Sequence, residues 1–326
     1  MKPMSKLLSA AASTIALALL AAPVLAQQFP NKQVRLVVPF PPGGPTDAMA
    51  RPLADGLTRA WGQPVIIENK PGANTIIGTD YVVKQPADGH NILFASDPSM
   101  SSIQYLYSKL PFDPVKDLLP VSGIATTTLI MLAPASSPAN SLREWIALAK
   151  AQPGKLSYGS IGPGSVTHLE ADAFARAAGV NLIHVPYKGT GEVVPALLNG
   201  QIDMALSAIG ASMSLIKAGK MKAFALANTV RSPLVPDVPT FAEAGLPFEA
   251  RSWFGLAVAA GTPRALVERI ATDSRKITES EEYRTKYIVG IGLDPFPLGP
   301  EGLAEFLVKD RARYAQRVKA ANVRLD

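Results

Sequence analysis

The stretch Pro39–Asp47, "PFPPGGPTD", carries the first residues with recognisable chemistry. Gly43 and Gly44 let the backbone turn left-handed and approach a ligand closely. Pro45 suits the first position of a helix, and Thr46 or Asp47 is placed to cap it. A helix start of this kind presents unbonded N–H groups and about half a positive charge. The chemistry is anion capture. No Gly-Lys-Ser/Thr follows and no Gly-x-Gly-x-x-Gly precedes, so neither a Walker phosphate loop nor a dinucleotide fingerprint is present. Without a phosphate-directed lysine, a carboxylate is the better match, and a plain strand-to-helix turn is the alternative.

A second stretch repeats the arrangement. In "KLSYGSIGPGSVTHLEADAFARAAG" a short apolar run meets Ser160, Gly162, Gly164 and Ser165 before a helical pattern. Thr167 followed by Glu170 reads as a capping box. A third candidate turn is Tyr187–Gly191, "YKGTG". Two or three such helix starts, facing one another across a cleft, would hold a carboxylate or bridge a ligand with one at each end.

Catalytic readings find little support. Ser160 and Ser165 lie outside any Gly-x-Ser-x-Gly elbow. The three histidines, His90, His168 and His184, are too far apart for a metal-ligand spacing. His184 alternates with apolar neighbours and reads as a strand residue, whereas His168, at a helix start, suits either ligand contact or support of the cap. Asp47, Asp97, Asp172 and Asp203 sit near turns or helix ends, where caps are commoner than acid catalysts. Asp203 could also face the cleft. Arg251, Trp253 and Phe254 could line it too, although core packing is the commoner use of such aromatics. We expect no enzyme, no catalytic residue, no metal and no cofactor.

The elements that must position these loops alternate. Strands are predicted at 34–39, 65–68, 92–95, 129–133, 156–160, 182–185, 204–207, 222–227 and 254–259. Helices fit 47–61, 76–84, 142–152, 167–178, 192–199, 211–218, 263–279, 281–289 and 300–321. Short β-rich runs between helices imply largely parallel sheets with helices on their faces. With 326 residues, two smaller sheets fit better than one. The long run "VSGIATTTLIMLA" is predicted to cross between domains, and "VPDVPTFAEAGLPFEARSWFGLAVAAGTP" offers a return.

Residues 1–26 form a separate object. Lys2 and Lys6 precede an apolar run from Leu7 to Val24 and a small-residue exit at Ala26. The pattern is that of a secretory signal cleaved after Ala26; an N-terminal anchor is the other reading. There is no cysteine, which excludes disulfides, thiolate metal sites and lipid attachment through an N-terminal cysteine. The net charge of +6 loses two lysines with the signal and is dispersed, without the basic runs of nucleic-acid binders.

Seven phrases in order carry a resemblance: "VRLVVPFPPGGPTD", "ENKPGANTIIG", "ADGHNILFAS", "LPFDPVKDLLPV", "HVPYKGTGEVVPALLNGQIDM", "RSPLVPDVPTFAEAGLP" and "FGLAVAAGTP". Together they resemble the substrate-binding proteins of tripartite tricarboxylate transporters, also called the Bug family, from about Phe29 to the C-terminus. The resemblance implies a two-domain type II periplasmic binding protein of the Venus-flytrap kind, each domain a mainly parallel sheet flanked by helices and joined by crossing strands. Its domains would be 27–126 plus 247–326, and 127–246. It further implies a monomeric periplasmic receptor that closes on a di- or tricarboxylate, an acidic amino acid or an aromatic carboxylate. The receptor would deliver that solute to integral-membrane permease subunits. A sensor kinase is a further implied partner, and a ligand sensor or a carboxylate-processing enzyme the competing roles.

Carried over by residue, the resemblance places Phe40, Pro41, Gly43, Gly44, Thr46 and Asp47 in the first ligand loop. It places Ser160, Gly162, Ser165, Thr167 and His168 in the second, with Asn74, Ser96 and Asp203 as further cleft residues. Two departures stand out. Pro45 replaces a third glycine and removes one N–H. Asn74 and Thr75 stand where the family often has Gly-Gly, which would add side-chain donors.

Overall fold

A computed structural model describes residues 29–325, so the expected leader, residues 1–26, lies outside the described residues. The chain begins as its periodicity predicts, with β1 (Val34–Val38), α1 (Pro45–Trp61), β2 (Val65–Asn69), α2 (Ile76–Val83) and β3 (Asn91–Ser96). α1 buries Met49, Leu53 and Leu57, four residues apart, against the sheet. It stops at Gly62, whose φ of 68° makes the left-handed cap that glycine adopts without a Cβ penalty.

β4 (Leu118–Pro134) then runs through both halves of the molecule. Its residues Leu118–Thr128 pair with β9, while Leu129–Pro134 pair with β7 and β8. This is the run whose length singled it out as a crossing strand. Beyond it come α3 (Leu142–Ala151), β5 (Ser157–Ser160), α4 (Val166–Ala178), β6 (Ile183–Pro186) and α5 (Thr190–Leu198). β7 (Met204–Ala208), α6 (Ile209–Lys217) and β8 (Met221–Leu226) complete the second half.

The chain returns through β9 (Arg251–Ala259), followed by α7 (Arg264–Thr278), β10 (Asp294–Pro295) and α8 (Pro300–Ala321). The segment predicted as a helix over 281–289 is wound unevenly, from an α turn at Glu281–Tyr283 through a π turn at Arg284–Ile288. Sheet order is β2-β1-β3-β9-β4-β7-β5-β6, with β8 and β10 also on β4. β1, β2 and β3 are mutually parallel, as are β6, β5 and β7; the long strands β4 and β9 run against their neighbours.

Each half has its own core. Leu36, Leu53, Ile92, Phe94 and Leu256 belong to one, and Met131, Trp145, Phe174, Leu206 and Phe241 to the other. We call these the first and second lobes. Helices cover both, and the carboxyl ends of the parallel strands of each lobe turn toward the other.

Candidate functional site

Between the lobes lies a cavity of about 250 Å³. Its floor is the crossing strands, through Thr127 and Leu129 of β4 and Ser252 and Phe254 of β9. The first lobe adds Phe40, Asn74, Ser96 and Pro98, which follow or end β1, β2 and β3. From the second lobe come Gly159, Ile161, Ser165, Val166 and Thr167 around β5 and α4, Thr190 and Val193 of α5, and Leu206, Ser207 and Ala208 of β7. Open α/β sheets bind ligands at these carboxyl ends because the loops there are free to diverge while the strands stay fixed. Among the described residues no charged side chain lines the cavity.

The loop after β1 is braced from within. Gly44 is the N-cap of α1 with no side-chain bond, so neither Thr46 nor Asp47 caps the helix as expected. Asp47 instead turns back: its Oδ2 accepts from Gly43 N at 3.1 Å and from Arg51 Nε at 2.8 Å. Its Oδ1 accepts from Asn69 Nδ2 at 3.3 Å, and the same Nδ2 donates to the Phe40 carbonyl at 3.1 Å. The Arg51 bond chiefly holds the Asp47 carboxyl below the usual range, against the opposing effect of burial. Of this loop, Phe40 reaches the cavity lining; Pro41, Gly43, Gly44, Thr46 and Asp47 lie outside it.

The loop after β5 differs. Ser165 is the N-cap of α4 and its Oγ accepts from His168 N at 3.3 Å. The expected capping box of Thr167 and Glu170 is therefore corrected: the helix starts two residues earlier. Thr167 Oγ1 accepts from Ile161 N at 3.0 Å and ties the loop across its mouth. Glu170 is fully buried and pairs with Arg313 and Arg317 of α8, at 2.5 and 3.1 Å. Helix geometry leaves the first-turn amides of Val166 and Thr167 without a carbonyl partner within the helix. The first turn of α4 has no acidic residue, whereas that of α1 has Asp47.

Ser160, Gly162 and His168 stand behind this loop, outside the cavity lining. His168 Nδ1 accepts from Gly164 N at 3.0 Å, and Ser160 Oγ bonds His184 Nε2 at 2.7 Å. The two imidazoles stack with centroids 3.9 Å apart, and Tyr158 stacks on His184 at 4.9 Å. Burial lowers the pKa of His168. Burial, and then the neighbouring His168, pushes His184 down to about 4. Both rings are neutral near pH 7 and shape the loop from below.

Asp203 lies elsewhere. It precedes β7, at the amino end of a strand whose carboxyl end meets the cavity, and its Oδ2 accepts from Ser157 N and Oγ at 2.7 and 3.0 Å. Asn74, Ser96, Ser165 and Thr167 are brought together with Phe40. Ala73, Asn74 and Thr75 have φ of 45°, 51° and 77°, so both residues standing in place of a Gly-Gly adopt the backbone glycine would prefer. Sequence reasoning missed Thr127, Leu129, Leu206, Ser207, Ala208 and Ser252. Each lies in a strand that looks like core, and only its position along the strand signals the cavity. Thr190, by contrast, belongs to the third candidate turn.

Among the described residues no group of acidic and histidine side chains could hold a metal, and no helix is long and apolar enough to cross a membrane.

The sequence matches the model of the "Tripartite tricarboxylate transporter family receptor" over residues 49–323. Protein BugT of Bordetella pertussis is 33% identical over 326 residues, 99% of each chain. Among solved structures, a Rhodopseudomonas palustris protein with adipate superposes with a TM-score of 0.80 and 32% identity, over 91% of this chain and 99% of its own. MatC of the same organism, with bound malate, gives 0.76 and 31%, over 89% and 100%. The fold is thus that of the two-lobed periplasmic binding proteins, and the chain belongs to the tripartite tricarboxylate transporter receptor family.

Proposed function

We propose that this protein is an extracytoplasmic receptor that captures a small carboxylate between its lobes and delivers it to the membrane subunits of a tripartite tricarboxylate-type transporter. The observation that carries the reading is the cavity itself: it lies at the carboxyl ends of both parallel strand sets, hydroxyl-rich, beside the uncompensated N-terminus of α4. A carboxylate there gains charge-assisted bonds from fixed amides without the desolvation of a cationic side chain. The bound adipate and malate of the two solved relatives support a carboxylate as the solute.

Residues 27–126 with 247–326 move as one unit and 127–246 as the other, bending where β4 and β9 cross, so that solute binding closes the cleft. The closed face is what the permease recognises. The leader directs export and is removed after Ala26, and the receptor works as a periplasmic monomer.

The test is a thermal-shift series with mono-, di- and tricarboxylates and their uncharged amides. A solute at about 100 times its Kd stabilises by about 2.7 kcal/mol, which at about 2–4 °C per kcal/mol is a rise of roughly 5–11 °C. We expect one acid class to produce it and its amide to produce none. A flat response to every acid overturns the reading.

A further inference from the structure

The loop between β5 and α4 brings Ile161 and Ser165 to the cavity, and its own hydrogen bonds are all local. Ile161 N donates to Thr167 Oγ1 and Gly162 N to Ser160 Oγ, at 3.0 and 3.1 Å. Gly164 N donates to His168 Nδ1 at 3.0 Å, and Ser165 N to the Gly162 carbonyl at 3.3 Å. Pro163 has no N–H, so every amide of residues 161–165 is bonded within the loop and the turn that follows it. These bonds fix the loop's shape. They give it little apolar anchorage, since Gly162, Gly164 and Ser165 have almost no side chain to bury and Ile161 is 40% exposed.

The anchorage comes from the first lobe. Gly164 has a φ of 72° and lies outside the cavity lining. A Cβ placed there would stand 2.9 Å from Leu325 Cδ1 and 3.1 Å from Leu106 Cδ2, so both leucines press on bare glycine backbone. Leu106 ends a short helix, Ile103–Leu106, between β3 and β4. Leu325 follows α8, and its N–H donates to the Leu106 carbonyl at 2.9 Å, which ties this segment to the first lobe. The two leucines join a cluster with Tyr314 and Val318 of α8 and Leu169 of α4, in which Leu106, Leu169 and Tyr314 are each 0% exposed. Further along α4, Arg176 donates to the Ala320 carbonyl of α8. The start of α4 and the loop before it thus rest on first-lobe carbon, one residue behind the point where Ser165 meets the cavity.

Resting on the receptor reading above, we infer that Leu106 and Leu325 are positioning residues for solute capture. Neither lines the cavity. They hold the loop between β5 and α4 where Ser165 and Thr167 face the solute, and they do so from the opposite lobe. When the lobes part, the loop loses this support, so the second lobe alone does not carry the finished loop. Capture and lobe closure are coupled through carbon contacts at Gly164.

Backbone hydrogen exchange, followed by mass spectrometry on protein dialysed free of solute, tests the support in wild type, Leu325→Ala, Leu325→Met and Val308→Ala. Val308 lies on α8, is 67% exposed and serves as the control. Leu325→Ala is expected to speed exchange over 161–165 by roughly 5- to 30-fold, the shift from losing part of one leucine's buried surface. Leu325→Met should restore most of the protection, and Val308→Ala should not alter it. Exchange over 43–47, in the loop after β1, should stay the same in every variant. In parallel titrations with adipate and malate, Leu325→Ala should bind at least about 3-fold more weakly, because fewer molecules hold a competent loop. Unchanged exchange over 161–165, or a rise spread evenly along the chain, would overturn the inference. So would faster exchange with unaltered affinity. Binding of neither acid by the wild-type chain would count against the receptor reading, while the exchange result would still decide whether the leucines hold the loop.

Discussion

At the scale of single residues, the loop after β5 rests on two neutral imidazoles. His184 holds Ser160 Oγ, and Ser160 Oγ in turn accepts from Gly162 N at 3.1 Å, so the rings fix the backbone that presents Ser165 to the cavity. Protonating His184 inserts a charge beside His168, 3.9 Å away, in a partly dry site. Asp172 opposes this only weakly. The folded state therefore binds fewer protons than the unfolded chain between about pH 4 and the ordinary histidine value of 6.5. Stability is full above that window and falls as pH drops through it. Urea denaturation at pH 7.5 and 4.5 should show a loss on acidification that is smaller in His184→Leu. An identical loss in the variant would place the acid sensitivity elsewhere.

Among the elements, α2 sits closer to the first lobe's sheet than a side chain allows. A Cβ at Gly78 would come within 2.8 Å of Pro39 Cβ and 2.9 Å of the Lys70 carbonyl. Glycine in a helix interior ordinarily costs about 1 kcal/mol relative to alanine. Here close approach outweighs propensity, because the helix is pinned between the exits of β1 and β2. Gly78→Ala should lower unfolding free energy by about 1–3 kcal/mol, the usual range for overpacking. A gain would mean that α2 can slide. The same docking holds the left-handed turn Ala73–Thr75 at the cavity rim, so affinity should fall with stability in this variant.

For the whole molecule, the ion pairs of Glu170 tie the second lobe to α8, which packs on the first. Glu170 is fully buried between Arg313 and Arg317, and Arg313 also reaches Asp310 at 2.7 Å. Burial raises the Glu170 pKa and the two guanidinium groups draw it back. Arg313→Met leaves a buried carboxylate underpaired, a loss of about 3–5 kcal/mol. Because the folded-state pKa of Glu170 then rises further, the loss should be smaller at pH 5 than at pH 8. The double variant Glu170→Leu with Arg313→Met should recover part of it. Equal losses at both pH values would mean that Arg313 acts through packing.

What the sequence determined by itself was local. Strand and helix periodicity located β1 to β3, α1, α4 and the long β4, and the small residues around Gly43 and Ser165 marked the loops that begin helices, because each depends on neighbours a few positions away. Only the tertiary structure decided what those loops face. Asp47 looks like a free carboxylate at a helix start until Arg51, Asn69 and Gly43 are seen to engage it. Asp203 and Ser207 are close in sequence, yet strand direction sends one to the amino end and the other to the cavity. Glu170 reads as a capping residue until α8, far along the chain, supplies its guanidinium partners. Leu206 and Phe254 read as core because apolar patterning reports burial but cannot say whether protein or solute covers a side chain.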